Sequence, residues 1–93
     1  MTHRSNSPAV HLYTRRWCGY CFAARRLLTK LAIEFEEIPL DGDRELRRSL
    51  SQANGGWPTL PMIFIGEHFV GGYTDLARAH RRGDLEHLLE GAA

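Results

Sequence analysis

Ninety-three residues allow one small domain, and 43% hydrophobic with 25% charged residues is globular rather than disordered or fibrous composition. A net charge of +1 makes no case for nucleic acid, and two cysteines exclude a disulfide-dense scaffold. No apolar run approaches the roughly 20 residues that a membrane-spanning helix needs, so no membrane partner is expected. Residues 1–8 are expected to form a polar leader without a secretory signal, with a single domain over 9–91 in a reducing cytoplasm.

Ala9 to Thr14 predicts a first strand, with Val10 and Leu12 on one side and His11 and Tyr13 on the other. After Cys18-Gly19-Tyr20-Cys21, the spacing of Phe22, Ala23, Leu27, Leu28 and Leu31 predicts a helix whose arginines face water. Glu34 to Leu40 reads as a second strand, at a sheet edge or ending at Pro39. Asp41-Gly42-Asp43 is a turn and cap before a polar helix from Arg44 to Ala53, which Asn54-Gly55-Gly56 ends. Pro61 to Ile65 and His68 to Val70 form a hairpin about Gly66-Glu67. Gly71-Gly72 breaks that strand, and Thr74 or Asp75 is expected to cap a final helical region to about Glu90 with a joint at Gly83-Asp84. The order β-α-β-α-β-β-α-α predicts an α/β fold, a four-stranded mixed sheet flanked by helices, which is the thioredoxin architecture in minimal form.

Two cysteines three positions apart at a helix start can close a small disulfide ring. The first lies where free backbone N–H groups and the positive end of the helix dipole favour a thiolate, and Arg15 and Arg16 add positive charge. Thiols so placed ionise at a pKa of about 3.5–7.5, against about 8.5 when free. Cys18 is therefore the expected nucleophile. Cys21, one turn deeper between Tyr20 and Phe22, suits the resolving role. Structural zinc needs four ligands and finds no second cysteine pair, while a structural disulfide over so short a span would staple little. Inert cysteines would explain neither the strand-to-helix placement nor the arginine flank.

The stretch Trp57-Pro58-Thr59-Leu60-Pro61, then Val70-Gly71-Gly72-Tyr73-Thr74-Asp75, joined to the two-cysteine motif, resembles the glutaredoxins from about Val10 to Leu89. On its own Pro61 is equally a strand-start proline; the resemblance implies a cis proline opposite Cys18, with the backbone of Leu60 open to pair with a thiol peptide. The resemblance further implies glutathione as co-substrate. Its site would comprise Arg15, Tyr20, Arg48, Thr59, Leu60, Pro61, Gly72, Thr74 and Asp75. Backbone N–H groups near Thr74 and the carboxylate of Asp75 would meet the γ-glutamyl end, while Arg15 and Arg48 would clamp the glycyl carboxylate. Thr74 and Asp75 also read as plain helix caps, and the two roles are compatible. Trp57 either packs beside the ligand or covers the loop. Arg25, Arg26, Arg81 and Arg82 read as solvated.

Gly19 stands where the dithiol branch usually has proline, and Tyr73 where an extra cysteine is frequent. The implied activity is reduction of protein–glutathione mixed disulfides and protein disulfides by a monomer. The alternative is a homodimer in which Cys18 of each chain and two glutathione thiols hold a [2Fe–2S] cluster. A third reading is a redoxin served by a reductase enzyme instead of glutathione.

Overall fold

The computed structural model describes residues 8–91. The expected leader falls outside the described residues except for Pro8. Eight elements follow in the predicted order: β1 (Val10–Thr14), α1 (Gly19–Lys30), β2 (Glu36–Pro39), α2 (Arg44–Ala53), β3 (Met62–Ile65), β4 (His68–Gly71), α3 (Tyr73–Arg82) and α4 (Asp84–Leu89). The strands form one mixed sheet in the order β2-β1-β3-β4. β1 runs parallel to β2, antiparallel pairing joins β1 to β3 and β3 to β4, and Pro39 sits on an edge strand where its missing N–H costs nothing.

Alternation along β1 divides the apolar residues between two layers. Val10 and Leu12 join Ala24 and Leu28 of α1, Ile63 and Ile65 of β3, Leu76 of α3 and Leu85 of α4. Cys21, Leu40, Leu60 and Met62 form the second cluster, against which Tyr13, Leu50, Trp57, Phe64 and Phe69 pack. Each fully buried leucine contributes about 1.5–3 kcal/mol.

Of the predicted apolar face of α1, Leu28 is buried and Leu27 and Leu31 pack against the core, but Phe22 departs from it. Cys21, Ala24 and Leu28 point inward at i, i+3 and i+7, whereas Phe22 is 54% exposed. One residue of helix turns a side chain by about 100°, so burying Cys21 rotates Phe22 off the core. Arg25 is not a solvated side chain either. Half-buried, it donates to Glu37 at 2.8 Å, and the same carboxylate oxygen accepts the hydroxyl of buried Thr14 at 2.7 Å.

α2 begins where expected, because the Asp43 carboxylate accepts the Leu46 N–H. The start of α3 corrects the expectation of a Thr74 or Asp75 cap. Gly72 is the N-cap, and Asp75, three residues on, reaches back to accept the Gly72 N–H at 2.9 Å. The joint between α3 and α4 is Gly83, whose φ of 82° lies in the left-handed region. Among the described residues no helix is long and apolar enough to cross a membrane.

Candidate active site

The chain leaves β1 at Thr14 and reaches α1 through Arg15, Arg16 and Trp17. The Asp41 carboxylate pins this connection by accepting the Arg16 N–H at 3.2 Å from both oxygens. Trp17 then takes φ 54°, unusual for a bulky L residue. The turn delivers Cys18 as the N-cap of α1 in extended conformation. A sulfur thus stands where serine or aspartate oxygens usually cap helices, and its Sγ accepts the Cys21 N–H at 3.2 Å. The sulfur lies at the positive end of the helix dipole. The thiol of Cys18 donates in turn to the Leu60 carbonyl at 3.7 Å.

Cys21 is wholly buried while Cys18 is partly open, and both are free thiols. Burial, above all, pushes the Cys21 thiol from 9.0 up to about 12, and its hydrogen bond with Cys18 adds to the rise. The Arg15 backbone N–H and the Arg25 charge pull the other way without prevailing. One sulfur faces solvent and its neighbour waits in the core.

The Leu60–Pro61 peptide is cis, as the resemblance implied. Beside it runs a groove of about 230 Å³, lined by Tyr20, Trp57, Thr59, Leu60, Pro61, Gly72, Tyr73, Thr74 and Asp75. Seven of the nine predicted glutathione residues therefore come together, from separate stretches of chain. Tyr73, which sequence reasoning passed over, lines the groove and stacks on Tyr20 with ring centres 6.2 Å apart. Its position directly after the diglycine was the available signal.

Trp57 lies between the groove and the inner packing. Its ring stands edge-on to Phe69 at 5.1 Å while also walling the groove. Its indole N–H is buried with no acceptor among the described residues, an open donor of a kind native structures seldom leave unexplained. At the far end, Gly72 and Asp75 present the start of α3, where the first N–H groups have no intrahelical partner.

Arg15 and Arg48 are not brought to the groove. Both side chains are exposed and outside its lining, and the Arg15 guanidinium donates to the Arg16 carbonyl at 3.1 Å. Among the described residues no three His, Cys, Asp or Glu side chains gather as a metal site. Neither thiol lines the groove itself, but Cys18 meets it through the Leu60 carbonyl. A larger hollow at the start of β1, walled by Val10, Ile33 and Phe35 among others, has no such contact with a thiol.

A mixed four-stranded sheet with two thiols at the start of its first helix, the outer one against a cis-proline loop, defines a dithiol protein of the thioredoxin-like class. The sequence model of the Glutaredoxin family matches residues 10–70. A glutaredoxin of Pseudomonas aeruginosa is 45% identical over 82 residues, spanning 88% of this chain and 96% of that one. Glutaredoxin 3 of Escherichia coli K12 is 37% identical over 87% of this chain and 96% of its own. Among solved structures, the glutaredoxin of Brucella melitensis superposes with a TM-score of 0.81 at 38% identity, covering 96% of both chains. A buckwheat glutaredoxin–glutathione complex superposes with a TM-score of 0.80 at 30% identity, covering 90% of this chain and 78% of that one. The chain belongs to the glutaredoxin family, whose chemistry is thiol–disulfide oxidoreduction.

Proposed function

We propose that this protein is a glutathione-dependent dithiol oxidoreductase with Cys18 as nucleophile and Cys21 as resolving thiol. The observation that carries the reading is the position of the Cys18 sulfur, capping α1 and touching the Leu60 carbonyl at the edge of the groove. The groove offers what a tripeptide thiol requires. The Leu60 backbone beside Pro61 lines it, and free N–H donors with the Asp75 carboxylate lie at the start of α3. The open Trp57 indole N–H adds a donor in its wall. That a glutaredoxin of this fold has been crystallised with glutathione supports the same ligand here.

In the proposed reaction the Cys18 thiolate attacks the glutathione sulfur of a protein–glutathione disulfide, and the protein sulfur leaves as a thiolate. A second glutathione attacks the Cys18–glutathione bond, forming glutathione disulfide and restoring Cys18. On a protein disulfide, Cys18 forms the mixed disulfide and Cys21 displaces the partner, leaving a Cys18–Cys21 bond for glutathione to reduce. Glutaredoxin potentials of about −200 to −230 mV lie near that of glutathione, so either direction is accessible. Thr59 and Tyr20 would flank the bound tripeptide, and Arg15 and Arg48, which lie outside the groove lining, would have to turn towards it to meet the glycyl carboxylate. The proposed setting is a reducing cytoplasm. No observation favours the cluster-bridged dimer.

The test is turnover of a protein–glutathione mixed disulfide coupled to glutathione reductase. Cys18→Ser should abolish it and Cys21→Ser should keep a large part. Full activity in Cys18→Ser, or turnover indifferent to glutathione, would remove the reading.

A further inference from the structure

Glutathione in the groove accounts for one half of a protein–glutathione disulfide; the polypeptide half must lie elsewhere against the protein. Of the four large apolar side chains that are markedly exposed, Trp17, Tyr20 and Phe22 lie within four residues of Cys18. Only Tyr20 among these three lines the groove. Phe22 instead opens a hollow of about 430 Å³ on the outer face of α1, walled by Arg25, Arg26, Thr29, Lys30 and Phe35. Phe22, Arg26 and Lys30 recur at i, i+4 and i+8, one stripe of the helix.

Two features join this stripe to the thiol. The Phe22 N–H donates to the Cys18 carbonyl at 3.0 Å, so the ring begins one turn from the sulfur. Arg26 and Lys30 also wall a neighbouring hollow of about 350 Å³ with Tyr73, which lines the groove as well. The surface is thus continuous from the groove across α1. Its charge has one sign. No carboxylate lines either hollow, and among the described residues Arg26 and Lys30 have no ion-pair partner, whereas Arg25 is held by Glu37. The guanidinium groups of Arg25 and Arg26 each stand 5.9 Å from the Phe22 ring centre.

We infer that the Phe22–Arg26–Lys30 face of α1 docks the polypeptide flank of the disulfide substrate, and that the flank it fits is acidic with an apolar residue for the Phe22–Phe35 hollow. The inference rests on the function proposed above and deepens it into a substrate preference. Acidic side chains would meet two unpaired cations, and the buried apolar contact would supply what solvent-screened charges alone do not.

The experiment compares two glutathionylated peptides, alike except for three aspartates or three lysines around the cysteine, with the small mixed disulfide of glutathione and 2-mercaptoethanol. The acidic peptide should show a kcat/KM about 3- to 10-fold above the basic one at low salt, as a few exposed ion pairs allow. Arg26→Glu with Lys30→Glu should erase or invert that ratio, and small-disulfide turnover should stay within about two-fold. Both residues are on the helix exterior, so the fold should survive, and circular dichroism checks it. Loss of small-disulfide turnover in the wild type would count against the proposed function alone. For that case an acidic peptide with serine for cysteine is titrated by NMR, and amide shifts should concentrate at residues 22–30. No preference between the peptides, a preference untouched by the charge reversal, or tighter binding of a single-stranded oligonucleotide at the same face would overturn the inference.

Discussion

The fold keeps Cys21 protonated, and this should be measurable as stability. Its pKa rises from 9.0 to about 12 because a thiolate in the core would lose its hydration. The native state therefore holds this proton more tightly than the unfolded chain does. The resulting stabilisation is complete below pH 9 and is lost progressively as pH rises towards 12. A tenfold change in proton affinity corresponds to about 1.4 kcal/mol, so reduced protein should lose about that much between about pH 8 and pH 10 on account of this group alone. Cys21→Ala removes the titration while adding a roughly pH-independent penalty for the small cavity. Urea unfolding of both proteins under reducing conditions, repeated in a Cys18→Ser background to remove the neighbouring thiol, isolates the effect. Parallel pH profiles for wild type and Cys21→Ala would refute the argument that burial dominates this sulfur.

The diglycine should tolerate substitution at one position and not at the other. A methyl group on Gly71, at φ 118°, would lie 2.5 Å from an Asp75 carboxylate oxygen, so Gly71→Ala should cost about 2 kcal/mol or more in urea unfolding and raise the KM for glutathione. Gly72→Ala meets nothing closer than 3.7 Å and should cost about 1 kcal/mol or less by the same measurement. Asp43→Ala deletes the carboxylate that accepts the Leu46 N–H, and since α2 buries no residue fully, a loss of about 1 kcal/mol should appear as fraying of that helix in amide hydrogen exchange.

What is legible in the chain is whatever is encoded locally. Asp43 and the Asn54-Gly55-Gly56 stop bracket α2 to the residue because caps and left-handed turns are chosen by a few adjacent side chains. The placement of Cys18 at a helix start follows from strand, motif and periodicity taken together. Where sequence and structure part, the cause is mostly a partner distant in the chain. Arg25 reads as solvated because Glu37, twelve positions on, comes alongside only when β2 pairs with β1. Phe22 reads as core because apolar spacing alone does not fix where the buried face is centred, and an inward Cys21 turns its neighbour towards solvent. Asp75 has the chemistry of an N-cap, yet it caps Gly72 from inside the helix. Arg15 and Arg48 match the family by position, but their side chains lie outside the groove, since position in a motif does not fix where a long, exposed side chain rests.

The groups around Cys21 also imply an order of events in the proposed reaction. Burial holds the Cys21 thiol protonated well above neutral pH, which leaves the first attack of the proposed reaction to the partly open Cys18. Two of the influences that raise it, the hydrogen bond and the charge interaction, come from Cys18. Once Cys18 is tied up in a mixed disulfide, that sulfur can no longer carry a charge, and it is a weaker acceptor for the Cys21 S–H. Burial then works with less support against the Arg15 N–H and the Arg25 guanidinium, which Glu37 anchors from the sheet with Thr14 on the same carboxylate. The resolving thiol thus becomes easier to ionise in the state that needs it, and it returns to its protonated form when Cys18 is released. In the proposed reaction a mixed disulfide at Cys18 would thus favour its own resolution, with Arg25 as the charge favouring the second thiolate.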